Sequence, residues 1–169
     1  HLYIERRLEP LNLYLAKPNI EDLEEVTLDY AQSIKDMAAA NIFAGDLLLK
    51  NFGVTRHGRV IFYDYDEIEF MTDMNFRHIP EPMTEEQEMS SEPWYAIGDH
   101  DVFPEEFLQF MTGNLQLRKL IVQHASELFN ADYWKSVQQD IHNHRYHDVF
   151  PYSTKIRFKN IYALTEKCE

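Results

Sequence analysis

A chain of 169 residues is long enough for one domain with a full core, or for one large lobe of a bigger domain. Its net charge of −13 argues against a nucleic-acid partner, while 44% hydrophobic and 14% aromatic content places it among ordinary globular proteins. No apolar run approaches the ~20 residues that span a bilayer, and the lone Cys168 excludes an internal disulfide, which fits a reducing cytoplasm.

The chain opens on His1-Leu2-Tyr3-Ile4-Glu5-Arg6-Arg7, an alternating strand-like run with no cap and no signal-peptide pattern before it. A natural domain rarely begins in mid-strand, so this start reads as a boundary inside a longer protein. Pro10 and Pro18 frame Leu11, Leu13 and Leu15, whose spacing fits either strand or helix. Asn19 is then a good N-cap, with Glu21 and Asp22 placed for the first turn. Ile20, Leu23, Val26, Tyr30, Ile34, Met37 and Ala38 recur at helical spacing and predict a helix to about Ala40. Its apolar face is core, and it delivers the chain into a polar loop.

That loop is the most informative part of the sequence. Gly45-Asp46-Leu47-Leu48-Leu49-Lys50-Asn51 carries an Asp-x4-Asn pair. Asn51-Phe52-Gly53-Val54 and Arg59-Val60-Ile61-Phe62-Tyr63 then read as two strands around the turn Thr55-Arg56-His57-Gly58, where Gly58 can take positive φ. A hairpin of this kind brings Asn51, at its start, beside Asp64, at its end, within Asp64-Tyr65-Asp66. In a kinase-like lobe such an aspartate accepts or orients the proton of the attacking hydroxyl. The asparagine and the later aspartate supply hard oxygen ligands to magnesium. The plainer alternative is that Asp46 and Asn51 cap a loop and Asp64 ends a surface hairpin. Against it, Asp64 follows the apolar run Val60-Ile61-Phe62, and a half-buried carboxylate needs a partner or a metal.

Beyond Asp66 the chain turns irregular. From Asp64 to Glu106 fourteen acidic residues stand against one basic residue, Arg77, a balance that would repel a nucleotide triphosphate unless metal ions or a basic surface intervene. Pro80, Pro82 and Pro93 bracket Glu85-Glu86-Gln87-Glu88, prevent a continuous helix and leave a long acidic loop over 81–93, with Trp94 and Tyr95 anchoring its far end. Gly98-Asp99-His100-Asp101 reads as a turn. Pro104 starts a helix over 105–111, and further helices are predicted over 115–129 and 132–141, the last capped by Asp132. Leu120, Ile121, Leu128, Phe129, Trp134, Val137 and Ile141 are their core positions. The run His142-Asn143-His144-Arg145-Tyr146-His147 reads as a solvated helix end rather than a metal site, because tetrahedral sites need four placed ligands.

Five glycines are too scattered to form a phosphate-cradling loop, and neither that cover nor its lysine and paired glutamate can be found. If the lobe is kinase-like, it is the larger lobe alone. Gly45-Asp46, in place of the common His-Arg-Asp, is closer to small-molecule kinases of the aminoglycoside or choline type, so on its own it leaves the substrate class open. A helical interaction module that docks a partner through the acidic loop is the non-catalytic alternative.

Longer stretches carry a more specific resemblance. His1–Arg7, Ala39-Ala40-Asn41-Ile42-Phe43, the run from Lys50 through Val60, Phe62-Tyr63-Asp64-Tyr65-Asp66-Glu67-Ile68, Ser91-Glu92-Pro93-Trp94-Tyr95 and Asp101-Val102-Phe103-Pro104-Glu105-Glu106-Phe107 resemble the bacterial isocitrate dehydrogenase kinase/phosphatase family. The resemblance implies an α+β, mostly α, protein-kinase-like C-terminal lobe over 1–169, with a small catalytic-loop hairpin and a hinge-like strand at 1–7. The family's small lobe and regulatory domain are not within these residues. It implies one site that phosphorylates isocitrate dehydrogenase on a serine with ATP and also removes that phosphate, directing carbon between the citric acid cycle and the glyoxylate bypass. Carried over position by position, Asp46 matches the catalytic aspartate, and Asn51 and Asp64 match the ligands of magnesium, or of manganese in its place. Asp66 matches a second acidic residue suited to orienting water. Lys50 falls where a cation neutralises the transferred phosphate, and Glu5 lies in the hinge whose backbone holds adenine. The implied partners are isocitrate dehydrogenase and nucleotide, with no nucleic acid and no membrane.

Overall fold

The computed structural model describes residues 7–90, 92–110, 114–150 and 157. The hinge-like run with Glu5, and nearly all of the tail beyond residue 150, lie outside the described residues.

The organising element is a 17-residue helix, α2 (Leu23–Ala39), preceded by a short strand β1 (Leu8–Pro10) and one turn of helix α1 (Leu11–Tyr14). The ambiguous leucine segment is therefore helical, and Leu11 is fully buried. Helix α2 starts three residues later than the sequence predicts. Asn19 adopts φ 59°, a left-handed conformation that asparagine tolerates, and Asp22 occupies the N-cap position. At the other end Asn41 (φ 63°) closes the helix in the manner of a left-handed C′ residue. Val26, Tyr30, Ile34 and Ala38 form the buried stripe. They face β2 (Ile42–Ala44), β4 (Val60–Phe62), α5 (Leu115–His124) and α6 (Ala131–His142).

The predicted hairpin is present as β3 (Phe52–Thr55) and β4, paired antiparallel with Phe52 opposite Phe62, and Gly58 takes φ 75° in its turn. Strand β1 adds to the other edge of β3, Pro10 pairing with Gly53, so the sheet order is β1-β3-β4. Gly53 permits that approach: a Cβ there would stand 2.8 Å from Leu8 Cβ. Asp29 of α2 ties down the returning strand, accepting from Val60 N–H at 2.5 Å and from Arg59 Nε at 3.0 Å.

What reads as irregular after Asp66 contains two further pairings that the sequence does not announce. β5 (Ile68–Phe70) pairs antiparallel with β2, and β6 (Asn75–Phe76) pairs parallel with β7 (Asp101–Val102). All three β5 residues are exposed, so no alternation marks it as a strand. The acidic loop between β6 and β7 contains one turn of helix, α3 (Glu85–Glu88), capped by Thr84. Tyr95 packs on Phe103 at 4.8 Å, anchoring the loop's far end.

The helical end differs from expectation in three places. Pro104–Glu106 form a 3-10 turn before α4 (Phe107–Phe110). The helix predicted over 115–129 breaks at Ala125 (φ −147°), and Ser126–Phe129 continue as a 3-10 turn. In that turn the Leu128 carbonyl accepts from Trp134 Nε1 at 2.9 Å. Asn130, not Asp132, caps α6, taking the Asp132 N–H at 2.8 Å. Trp134, 1% exposed, lies parallel to Phe76 at 5.1 Å and meets Phe43 and Phe107 edge-on. Burial of a side chain this large contributes about 3 kcal/mol. It joins β2, β6, α4 and α6 into one core. No described helix is long and apolar enough to cross a membrane.

His78 bridges this region, its ring nitrogens 3.1 Å from Asp132 and 2.8 Å from Glu105. Those two hydrogen bonds, Asp132 first, raise its pKa above the ordinary 6.5. A raised folded pKa means the bridge stabilises fully below about 6.5 and is lost as pH rises through the folded value. The expected result is that His78→Gln lowers the thermal midpoint at pH 6, and that the difference from the parent fades as pH rises through the raised pKa. A difference independent of pH from 5.5 to 9 would contradict it.

Candidate active site

The polar loop between β2 and β3 is built by short-range bonds. Gly45 N–H donates to the Glu67 carbonyl at 2.9 Å, which ties the start of the loop to the segment that follows Asp64-Tyr65-Asp66. A Cβ at Gly45 would come within 3.2 Å of that carbonyl oxygen, so the residue type suits the contact. Asp46 Oδ1 accepts the Leu48 N–H at 2.9 Å, a local turn that aspartate favours. Its second oxygen lies 3.9 Å from Lys50 Nζ, a loose ion pair on an exposed lysine.

Leu49–Asn51 form a single 3-10 turn, with Asn51 N–H donating to the Leu48 carbonyl at 2.9 Å. This turn folds the Asn51 side chain back under the loop, where it is 3% exposed and its Nδ2 donates to the Asp46 carbonyl at 3.2 Å. The amide nitrogen is thereby occupied. Among the described residues no group donates to its Oδ1.

The hairpin register brings the second half of the site alongside. Tyr63 N–H donates to the Asn51 carbonyl at 3.1 Å, one step beyond the Phe52–Phe62 pair, so Asp64 is the next residue after the one opposite Asn51. Asp64 is half-buried and has no cationic partner among the described residues; the Asp66 N–H approaches its Oδ1 at 3.5 Å. The strand ends at Phe62, one residue earlier than expected, and Tyr63 is exposed. Asp66 is exposed too.

The sequence-predicted residues Asp46, Lys50 and Asn51 are thus linked directly, while the hairpin and the Gly45–Glu67 bond bring the backbone of 63–67 alongside the loop, with no side-chain contact from Asp64 or Asp66 to Asp46, Lys50 or Asn51 among the described residues. Across 45–51 and 63–67 four carboxylates, Asp46, Asp64, Asp66 and Glu67, accompany one cation, Lys50. Asp64, half-buried and without a basic partner among the described residues, and the Asn51 amide oxygen are hard oxygens of the kind that a divalent cation takes. Among the described residues no group of three or more His, Cys, Asp or Glu side chains is arranged as a metal cage. Two shallow surface concavities, of about 430 and 380 Å³, lie away from this loop, one between α2 and α5 and one around Tyr14 and Asp22.

Two supports are invisible in the motif itself. The Tyr30 hydroxyl, from the buried face of α2, donates to the Leu47 carbonyl at 2.8 Å, and the Tyr63 hydroxyl donates to the Lys50 carbonyl. The sequence signal for the first is a tyrosine in an otherwise aliphatic stripe. A buried phenol requires a partner for its hydroxyl.

A loop aspartate, an asparagine five residues on and an aspartate at the end of the following hairpin are the residues on which the expectation of a phosphoryl-transfer lobe rests. Comparison with known proteins identifies the family. Residues 1–154 match the family described as the isocitrate dehydrogenase kinase/phosphatase (AceK) kinase domain, and the chain belongs to that family. It is 53% identical over 159 residues to the isocitrate dehydrogenase kinase/phosphatase of Methylibium petroleiphilum, covering 94% of this chain and 26% of that protein. It is 54% identical over 158 residues to the protein of the same name from Yersinia enterocolitica, covering 94% of this chain and 28% of that protein. The one from Aromatoleum aromaticum is 52% identical over 163 residues, 96% of this chain and 28% of that protein. The chain therefore spans about a quarter of the length of these curated relatives.

Proposed function

We propose that this chain is the larger lobe of a bifunctional enzyme that transfers phosphate from ATP to a serine of isocitrate dehydrogenase and also removes it. Family membership supports this, as do the names of the relatives, which match the chain over almost its full length. The single observation that carries the site assignment is the Asn51 side chain. Its amide nitrogen is held on the Asp46 carbonyl and its backbone carbonyl on Tyr63 N–H, so one buried residue fixes the Asp46 loop against the Asp64 strand end.

In this reading Asp46 accepts the proton of the serine hydroxyl as the serine oxygen bonds to phosphorus and the bond to the departing ADP breaks. Asn51 Oδ1 and the Asp64 carboxylate would hold magnesium, or manganese, which when bound neutralises charge on the phosphates. Lys50, exposed and only loosely paired with Asp46, is free to swing to the transferred phosphate and offset its charge. Asp66, exposed beside Asp64, orients a water for the reverse outcome: water's oxygen bonds to phosphorus, and the serine oxygen leaves with a proton. Glu5, in the hinge-like run, contributes a backbone contact to adenine. The partners are isocitrate dehydrogenase and nucleotide, and the setting is cytoplasmic.

The test is a paired assay on the intact enzyme, following label from γ-labelled ATP into isocitrate dehydrogenase and phosphate release from the labelled product. The proposal requires both activities and the loss of both on Asp64→Ala. An enzyme that labels a small-molecule alcohol but not isocitrate dehydrogenase would instead favour a small-molecule kinase.

A further inference from the structure

We propose that Tyr30 is a positioning residue for the Asp46 loop, its hydroxyl holding the Leu47 carbonyl and thereby setting the direction of the Asp46 carboxylate. This rests on the reading of Asp46 as proton acceptor. Tyr30 is fully buried on α2, and its hydroxyl reaches the Leu47 carbonyl at 2.8 Å. Its ring meets Phe52 edge-on at 4.6 Å. Phe52 follows Asn51, so one side chain touches both ends of the segment that carries Asp46 and Asn51: the hydroxyl at Leu47, the ring next to Asn51.

The other ties of the loop run within the loop or to residues 63–67. They include Gly45 to Glu67, Leu48 to Asp46, Asn51 to Asp46 and to Leu48, Lys50 to Asp46, and Tyr63 to Asn51 and Lys50. The Tyr30 bond is the described side-chain hydrogen bond that fastens the loop to the long helix beneath it. Burial, with Asp46 nearby, pushes its phenol well above the ordinary range, so it stays a donor throughout any working pH.

Tyr30→Phe separates positioning from packing. The ring and its contact with Phe52 remain, while the Leu47 carbonyl loses its donor in a buried setting and the loop must relax to satisfy it. Displacement of a reacting group by about 1 Å costs on the order of 10²-fold in rate. In the intact enzyme Tyr30→Phe is therefore expected to lower kcat for serine phosphorylation by roughly 10- to 100-fold. The KM for magnesium–ATP should stay nearly unchanged, because Asn51, Asp64 and Lys50 are untouched. Amide hydrogen exchange should accelerate in the peptide spanning 45–51 and not in α5 or α6. A folded Tyr30→Phe enzyme with parental kcat overturns the inference. So does one that fails to fold or loses protection across α5 and α6, since Tyr30 would then be a core residue only. Asp46→Asn run in parallel keeps the two claims apart: if that variant retains near-normal transfer, the reading of Asp46 fails, whatever Tyr30→Phe does.

Discussion

Replacing Asp46 by alanine in the intact enzyme should reduce phosphorylation of isocitrate dehydrogenase by roughly 10²–10⁴-fold, the range over which a positioned acid–base group acts. The structure adds a correction to the variant. Asp46 Oδ1 accepts the Leu48 N–H, so alanine also removes a local hydrogen bond, of about 1 kcal/mol in stability. Asparagine retains an oxygen for Leu48 while lacking a basic carboxylate, and should be almost as inactive with less change in thermal midpoint. Single-turnover rates of both variants, with melting curves, check this. Near-normal transfer by Asp46→Asn would remove Asp46 from the chemistry.

The second large effect concerns the two groups that we propose hold the cation. Asn51→Ala and Asp64→Ala should each cut transfer by about 10²–10³-fold, the scale of losing one fixed electrostatic contact at a reacting centre. Their signatures should differ. Asp64 is half-buried and carries the charge, so its loss should shift the magnesium dependence further. Asn51 is buried and bonded to the Asp46 carbonyl, so its loss should also loosen the loop and lower kcat at saturating magnesium. Kinase and phosphatase activities should fall together in both. Magnesium titrations of initial rate separate the two cases. A variant that impaired only one activity would argue against a shared site.

The candidate site was legible because its logic is local. Asp-x4-Asn, a turn with a left-handed glycine and an acidic residue at the strand end lie within 21 residues of one another, and the hairpin alone sets Asn51 opposite Tyr63, the residue before Asp64. The stripe of α2 was equally readable, since Val26, Tyr30, Ile34 and Ala38 follow the helical period. Less legible were features decided by distant packing. β5 has no alternation and exists because β2 offers it an edge, and β6 and β7 are two-residue strands paired across the acidic loop. The break at Ala125 and the cap at Asn130 accompany the bond from Trp134 to the Leu128 carbonyl, a contact that no window of residues 115–129 reveals. Asn19 was misread as a cap because left-handed backbone and N-capping draw on the same residue type. Of the readings that Gly45-Asp46 left open, family membership favours the kinase/phosphatase that we propose.

In the proposed site Asn51 and Asp64 present oxygen to the same cation within reach of Asp46. Crystallographic location of manganese by its anomalous signal, in the intact enzyme with manganese and a non-hydrolysable ATP analogue, tests it most directly. The expected result is an anomalous peak bonded to Asn51 Oδ1 and an Asp64 carboxylate oxygen, with the terminal phosphate on the Asp46 side of the loop. Manganese–nucleotide bound elsewhere, with Asn51 and Asp64 outside its coordination shell, would contradict it.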